Sequence, residues 1–448
     1  MQAFPISDTS PVQFAGPLPA ATDVVVIGGG VIGICTALYL AQAGQSVVLL
    51  EKGRIAGEQS SRNWGWIRQQ GRDPDELPIM IEALGRWKEL AAQTGVDFGL
   101  RQGGVTYFAQ TAKQLAGFER WTAHARGLGV DTKILNGSET ASMFPQMSAR
   151  MRGAMVTPSD MRAEPWTAVP ALAGIARAAG VRIIENCAVR MLDVQAGNVA
   201  GVVTERGLIK SPSVVLAGGA WSSLFLRNHG FDIPQLSVRE SVAATHVLPD
   251  FHSGAAADNR VAFRRRMDGG YTLSPAGVAE LFIGPDAFRA FRKYLPQLRQ
   301  TPFGQTYRPM SPKGFPDAWG TPRRWAGDEV TPFERMRILD PAPDMKQLRR
   351  LVRNFQERFP SLPQVRLKSA WAGMIDTMPD QVPIVDHCPA IPGLVIGTGM
   401  AGHGFGIGPG MGRVLAALVM GDALGHDLKR FRADRFSDGS AIDLGPPF

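Results

Sequence analysis

The chain has 448 residues, enough for two domains or for one large cofactor domain carrying a second module. Hydrophobic residues make up 44% and charged residues 20%, as in an ordinary globular protein, and no apolar run reaches the ~20 residues a membrane span needs. The net charge of +8 comes with no long basic tract beyond Arg264, Arg265 and Arg266 and no nucleic-acid-binding signature, which argues against nucleic acid and leaves a solvated basic face or small acidic ligands.

Residues 1–21 lack a basic n-region and a continuous apolar h-region and read as a Pro-rich arm, not a signal peptide. The three cysteines, Cys35, Cys187 and Cys388, are odd in number and far apart, which fits reduced thiols and neither a disulfide framework nor a zinc site. A cytoplasmic protein is expected, with peripheral membrane association left open.

Asp23 precedes an apolar strand, Val24 to Ile27, that runs into Gly28, Gly29 and Gly30 and then into a helical pattern closed by Gly44. A second strand ends at Glu51. This β-α-β unit carries Gly28-x-Gly30-x-x-Gly33 between strand and helix, so Gly28, Gly30, Val31, Ile32 and Gly33 form the candidate pyrophosphate cradle at a helix N-terminus. Glu51, followed by Lys52, is the candidate acceptor for ribose hydroxyls; a carboxylate there favours NAD or FAD over NADP. The bland alternative is a glycine-lined helix packing on a sheet.

Residues 78–94 read as a helix, with Ile81, Leu84, Trp87 and Leu90 at helical spacing, followed by a strand VTYFA and a helix over 113–127. From Val181 short strands form a meander that returns to the parallel sheet at Val214 to Leu216. The stretch from Leu236 to Arg366 mixes strands with Phe- and Arg-rich helices and reads as a separate antiparallel module. Within it FRAFRKYLPQLRQ, Phe288 to Gln300, is an amphipathic helix that covers the module or meets a partner. Finally LVIGTG runs into GMAGHGFGIGPGMG, Gly399 to Gly412, with a helix over 411–420 behind it. The expected fold is α/β (α+β overall): a Rossmann-like cofactor domain from 22–80, 155–235 and 367–448, and a mainly antiparallel substrate domain from 81–154 and 236–366.

The stretch TDVVVIGGGVIGICTALYLAQAGQSVVLLEKG resembles the N-terminal FAD-binding signature of the D-amino-acid oxidase-like flavoproteins, which include glycine and sarcosine oxidases and D-amino-acid dehydrogenases. LAGGAWSS (Leu216 to Ser223), WAGMIDTMPDQVPIVD (Trp371 to Asp386) and GMAGHGFGIGPGMG are similar to three further family segments, in the expected order. The resemblance implies an FAD enzyme that moves a hydride from the carbon beside an amine to flavin N5, giving an imine that hydrolyses. Its substrate would be a D-amino acid or an N-substituted amino acid, and oxygen, a quinone or a carrier protein would take the electrons.

The resemblance also implies site residues. SSRNWGWIRQQGRD, Ser60 to Asp73, follows Glu51 where the family places groups near the ring: Ser60, Ser61, Arg62, Asn63, Trp64, Gly65 and Trp66 are expected at the flavin, with Gln70 at flavin or substrate. Arg68 is the candidate for the substrate carboxylate, which a guanidinium grips bidentately; solvent or FAD phosphates are the alternative for these arginines. Val189, Ala217, Gly218, Trp221 and Gly373 are further expected flavin contacts, with Met374 beside the substrate. In the C-terminal loop Gly402, Gly404, Gly406 and Gly408 are expected to let the backbone approach the ring, with Phe405 and Ile407 as further flavin contacts. His403 is there either a base or hydrogen-bond donor at the reacting centre, or a residue that only satisfies nearby backbone. Arg264, on one face of a strand with Arg266, and Tyr271 are candidates for the substrate side, the alternative being a charged edge strand.

Two positions depart from sarcosine-oxidase-like members. Gly406 stands where they carry a lysine near the substrate carboxylate, and Gly373 stands near the cysteine that bonds their flavin, so noncovalent FAD is expected. Rival readings are a flavin-dependent 2-hydroxy acid dehydrogenase, an electron-transferring subunit of a larger complex, and an NAD enzyme, which the second glycine run disfavours.

Overall fold

The computed structural model of the protein describes residues 2–277, 279–300 and 305–445. Residues 1, 278, 301–304 and 446–448, assigned above to the arm, the second module and the C-terminal stretch, lie outside the described residues.

Short β-branched runs build the first sheet. Its six strands lie in the order Ile384–His387, Leu394–Thr398, Ser213–Leu216, Val24–Ile27, Val47–Leu50, Arg182–Ile184. All neighbours are parallel except the antiparallel edge strand Ile384–His387. Strand alternation divides the side chains: Val24 and Val26 face the helices Val31–Gln42, Pro165–Ala178 and Gly404–Met420, whereas Val25 faces the cluster holding Leu192, Val202 and Ile209 of the meander.

The last helix begins at Gly404, seven residues earlier than the expected 411. Most of the second glycine run is therefore helix, and its glycines serve packing. A Cβ at Gly412 would lie 2.4 Å from Cys35 Cβ, one at Gly408 2.6 Å from a Val31 methyl, and one at Gly410 2.6 Å from Ile79 O. The helix thus settles into grooves of Val31–Gln42 and Leu77–Gln93 that side chains would close.

The second module is a large, mainly antiparallel sheet in which Leu236–Thr245 pairs along its length with Leu367–Thr377. Two pairings in it are parallel, Ala255–Ala257 with Val105–Ala109 and Ala279–Phe282 with Gln305–Arg308. Sheet membership departs from the expected boundaries at two strands. Leu367–Thr377 and Gly153–Thr157 belong to this sheet, because their ladders run to Leu236–Thr245 and to Val105–Ala109. The N-terminal arm is pinned by Glu185, which accepts from Gln13 N (2.6 Å) and Phe14 N (3.0 Å) while Phe14 is buried. Among the described residues no helix is long and apolar enough to cross a membrane.

Candidate active site

A long cleft lies between the two sheets, starting where Val24–Ile27 turns into its helix. Gly28 makes that turn at φ +113°, and a Cβ there would lie 2.4 Å from Ala217 O; one at Gly33 would lie 2.0 Å from Gly28 O. Gly28 to Ile32 line the cleft, as do Ala217 and Gly218 from the parallel neighbour strand's exit. Ser60 Oγ accepts from Val31 N at 2.9 Å. Glu51 accepts from Gly29 N and Gly53 N, each at 2.7 Å, and each oxygen keeps a lone pair for a ribose hydroxyl. Burial pushes its carboxyl upward, against Lys52 and these two backbone bonds.

Lys52, Arg62, Asn63, Trp64, Trp66, Val189, Trp221 and Gly373 also line the cleft. Several are tied to their surroundings. Lys52 Nζ bonds Glu58 (2.6 Å), and Trp221 Nε1 donates to the same carboxylate at 3.0 Å. Arg62 bonds Asp340 (2.6 Å), Gly57 O and Ala372 O, so it ties its short helix to the strand Leu367–Thr377 and to the loop at Asp340 and does not reach for a phosphate. Four expected flavin contacts do not line the cleft. Ser61 and Ile407 are fully buried, Gly33 packs its own turn, and Gly65, at φ +78°, lies against Ala163 O and Arg264.

At the other end stands the segment Met400 to Gly406, with left-handed backbone at Gly399, Ala401 and Gly402. Asp376 anchors it: its Oδ2 accepts from Gly399 N (2.7 Å), Gln235 Nε2 (3.1 Å) and Thr398 Oγ1 (3.3 Å), and its carbonyl accepts from Ala401 N. His403 sits immediately before the helix and lines the cleft with 22% of its side chain exposed. Its Nδ1 lies 3.3 Å from Glu76 Oε2 without a hydrogen bond between them, and that carboxylate is 0% exposed and has no hydrogen-bond partner among the described residues. Burial pushes Glu76 up to about 7, against the pull of Arg72 and Arg68. Burial, then the charges of Arg72 and Arg68, hold His403 well below the usual imidazole range, so the ring is neutral. Arg72 reaches Glu76 at 3.9 Å, and its own ionisation is lowered to about 9 by burial and by Arg68.

Arg68 lines the cleft at this end, as Trp66 does, with its guanidinium 5.4 Å from the centre of the Tyr107 ring. It donates to Gln70 O and has no carboxylate partner among the described residues. Four other expected substrate contacts are corrected. Arg264 is 0% exposed and clamped by Glu164, Nη1 to Oε1 at 2.9 Å and Nη2 to Oε2 at 3.1 Å, with Nε donating to Trp64 O at 2.6 Å. Tyr271 donates to His252 O (3.1 Å) and stacks on Phe251 in the core of the second module. Gln70 is buried, accepting from Thr157 Oγ1 at 3.0 Å. Met374 points away from the cleft because its strand neighbours Gly373 and Ile375 face it.

The residues fit a flavin dinucleotide: a glycine turn that side chains would block, a ribose-seeking carboxylate, and a small-residue loop at a helix start. A family model described as FAD dependent oxidoreductase (DAO) matches residues 23–418. The chain belongs to this family. The fold of this oxidoreductase matches a solved L-amino acid deaminase from Proteus myxofaciens, in complex with anthranilate, at TM-score 0.90 and 30% identity over 97% of each chain. Among curated proteins it is 26% identical to the mitochondrial sarcosine dehydrogenase of Homo sapiens over 93% of this chain, and it spans only 42% of that protein's length. It is also 26% identical to the sarcosine oxidase subunit beta of Arthrobacter sp, over 96% of this chain and 95% of that one.

The oxidoreductase binds FAD without a covalent link. Gly373 offers no nucleophile, Cys35 and Cys388 are buried away from the cleft, and Cys187 lies at the ribose end, where its N–H donates to Glu51 O. Sequence reasoning missed Asp376, Glu76 and Glu240, and expected Arg72 at FAD phosphates or in solvent, whereas it is buried against Glu76. Asp376 lay inside a recognisable motif; Glu76 and Glu240 carried no local signal, since only the fold brings them near the loop.

Proposed function

We propose that this oxidoreductase oxidises the C–N bond of an α-amino acid to an imine, which water hydrolyses to a 2-oxo acid and an amine or ammonia. Arg68 carries the reading: a guanidinium lining the cleft over the Tyr107 ring, without a carboxylate partner among the described residues, suits a substrate carboxylate and stays charged when water is excluded. Bound FAD supplies the acceptor for the hydride that leaves Cα. The chain's residues position and prepare the substrate. Arg68 holds the carboxylate, Trp64 and Trp66 exclude water, and the neutral ring of His403 accepts a hydrogen bond from the substrate amine.

The near full-length likeness to an L-amino acid deaminase supports the L series first. The sarcosine relatives support a second reading, an N-methyl amino acid, which presents the same carboxylate. The three buried, unpaired cysteines support a reducing, cytoplasmic setting.

Purified holoenzyme should be offered L-, D- and N-methyl amino acids and 2-hydroxy acids, each with oxygen, a quinone and an artificial carrier, while 2-oxo acid and amine are assayed. Release of both products from an amino acid is expected. Turnover of 2-hydroxy acids alone would replace the reading, and an inert chain that gains turnover only with a co-purified protein would make it a subunit.

A further inference from the structure

The cleft's charges are almost all neutralised internally. Of the carboxylates that line it, Glu51 accepts two backbone N–H groups, Glu58 holds Lys52, and Asp376 holds the loop at Gly399. Glu240 has neither hydrogen-bond nor ion-pair partner among the described residues, and burial alone pushes its carboxyl up to about 7. On the cationic side Lys52, Arg62 and Arg72 face Glu58, Asp340 and Glu76, and Arg54 bonds Ser10 O and Asn186. Arg68 is left without an ion-pair carboxylate among the described residues.

The position of Glu240 says what it is open to. Glu240 and Val242 project from one face of Leu236–Thr245 into the cleft, and the residue opposite Glu240 in the ladder is Gly373, which has no side chain to cover it. The side chain nearest Gly373 is Arg62, 3.3 Å from where a Cβ would stand, and that guanidinium is committed to Asp340, Gly57 O and Ala372 O. Ile375, two residues on, touches the ring loop where a Cβ on Gly402 would stand, at 3.6 Å. Glu240 therefore lies about 7 Å along the ladder from that contact. An amine must be free of its extra proton when it loses hydride, so the substrate's own amino group cannot serve as a lasting counter-ion to a carboxylate. A side chain of three or four methylenes can carry a second charge across such a distance.

We propose that Glu240 determines specificity and that the cleft takes an amino acid whose side chain ends in a cation, an ammonium or a guanidinium. The carboxylate goes to Arg68 and the distal cation to Glu240, which the partner then keeps ionised. The inference rests on the amino-acid reading above and names its substrate class.

Two measurements decide it. In turnover, the holoenzyme should prefer L-lysine or L-arginine over L-norleucine by about tenfold or more in kcat/KM, and Glu240→Gln should collapse that ratio. In calorimetry, 6-aminohexanoate, which keeps the carboxylate and the distal ammonium but has no α-amine to oxidise, should bind the holoenzyme about tenfold more tightly than hexanoate. That comparison needs no variant and stands if Glu240→Gln fails to fold. Equal binding of the two acids, or a lysine preference that Glu240→Gln leaves intact, would overturn the proposal. Turnover confined to neutral amino acids would overturn it while leaving amino-acid oxidation in place. If no amino acid is oxidised the enzymatic reading fails, and the two acids still decide whether Glu240 holds a cation.

Discussion

His403 Nδ1 lies 3.3 Å from Oε2 of Glu76, and the two residues come from opposite ends of the chain. The contact exists because the helix beginning at Gly404 packs into the groove beside Leu77–Gln93, and that packing depends on glycines. The His403 end of the cleft is thereby set by helix contacts more than 300 residues apart in sequence, and several measurable consequences follow from its charges.

Glu76 ordinarily titrates near 4.5 and is pushed up to about 7 in the fold. Between these values the native chain binds a proton that the unfolded chain has lost, so this group lowers stability as pH rises through the window. Glu76→Gln should be more stable than the parent above pH 7 by on the order of 1–3 kcal/mol, with the difference shrinking toward pH 4.5. Denaturant melts of both chains across that range check it; a constant difference would speak against a buried, titrating Glu76.

Arg264→Met should act on stability and not on the substrate. Removing one partner leaves Glu164 buried and uncompensated, a loss on the order of 3–5 kcal/mol. Adding Glu164→Leu should recover much of it. An unchanged midpoint of unfolding with a raised KM would reinstate Arg264 as a substrate residue.

Gly412→Ala places a methyl 2.4 Å from Cys35 Cβ, where the helices have no room to part. A loss of about 1–3 kcal/mol is expected, together with weaker flavin retention, because the same helix carries the ring loop. Gly85→Ala, which meets nothing within 4 Å on an exposed face, should instead stabilise by up to about 1 kcal/mol. Thermal melts of the two variants should move in opposite directions.

Gly28→Ala strains a left-handed turn and drives a Cβ to 2.4 Å from Ala217 O. The flavin-to-protein ratio of the purified variant should fall sharply. Full occupancy would show that the pyrophosphate does not use this turn.

The cofactor half of the molecule was legible because its signal is local: a strand, three glycines, a helix and an acid within thirty residues leave few alternatives. The second glycine run was legible as a flavin feature and misread in detail. Gly408, Gly410 and Gly412 are spaced for packing against Val31, Ile79 and Cys35, and no property of the run itself distinguishes packing from a ligand's approach. The substrate side was the least legible. Arg264 reads as well as Arg68, and only the fold reveals that Glu164 clamps one while the other has no ion-pair partner among the described residues. Glu240 and Glu76 look like surface glutamates until a strand ladder carries the first into the cleft and a helix groove buries the second behind His403.

Arg68 is the central claim. Purified holoenzyme mixed with an amino acid in the absence of oxygen should lose its oxidised flavin absorbance, and Arg68→Met should need about a hundredfold or more amino acid to bleach at the same rate. Flavin that stays oxidised with every amino acid, or an Arg68→Met chain that bleaches as the parent does, would contradict it.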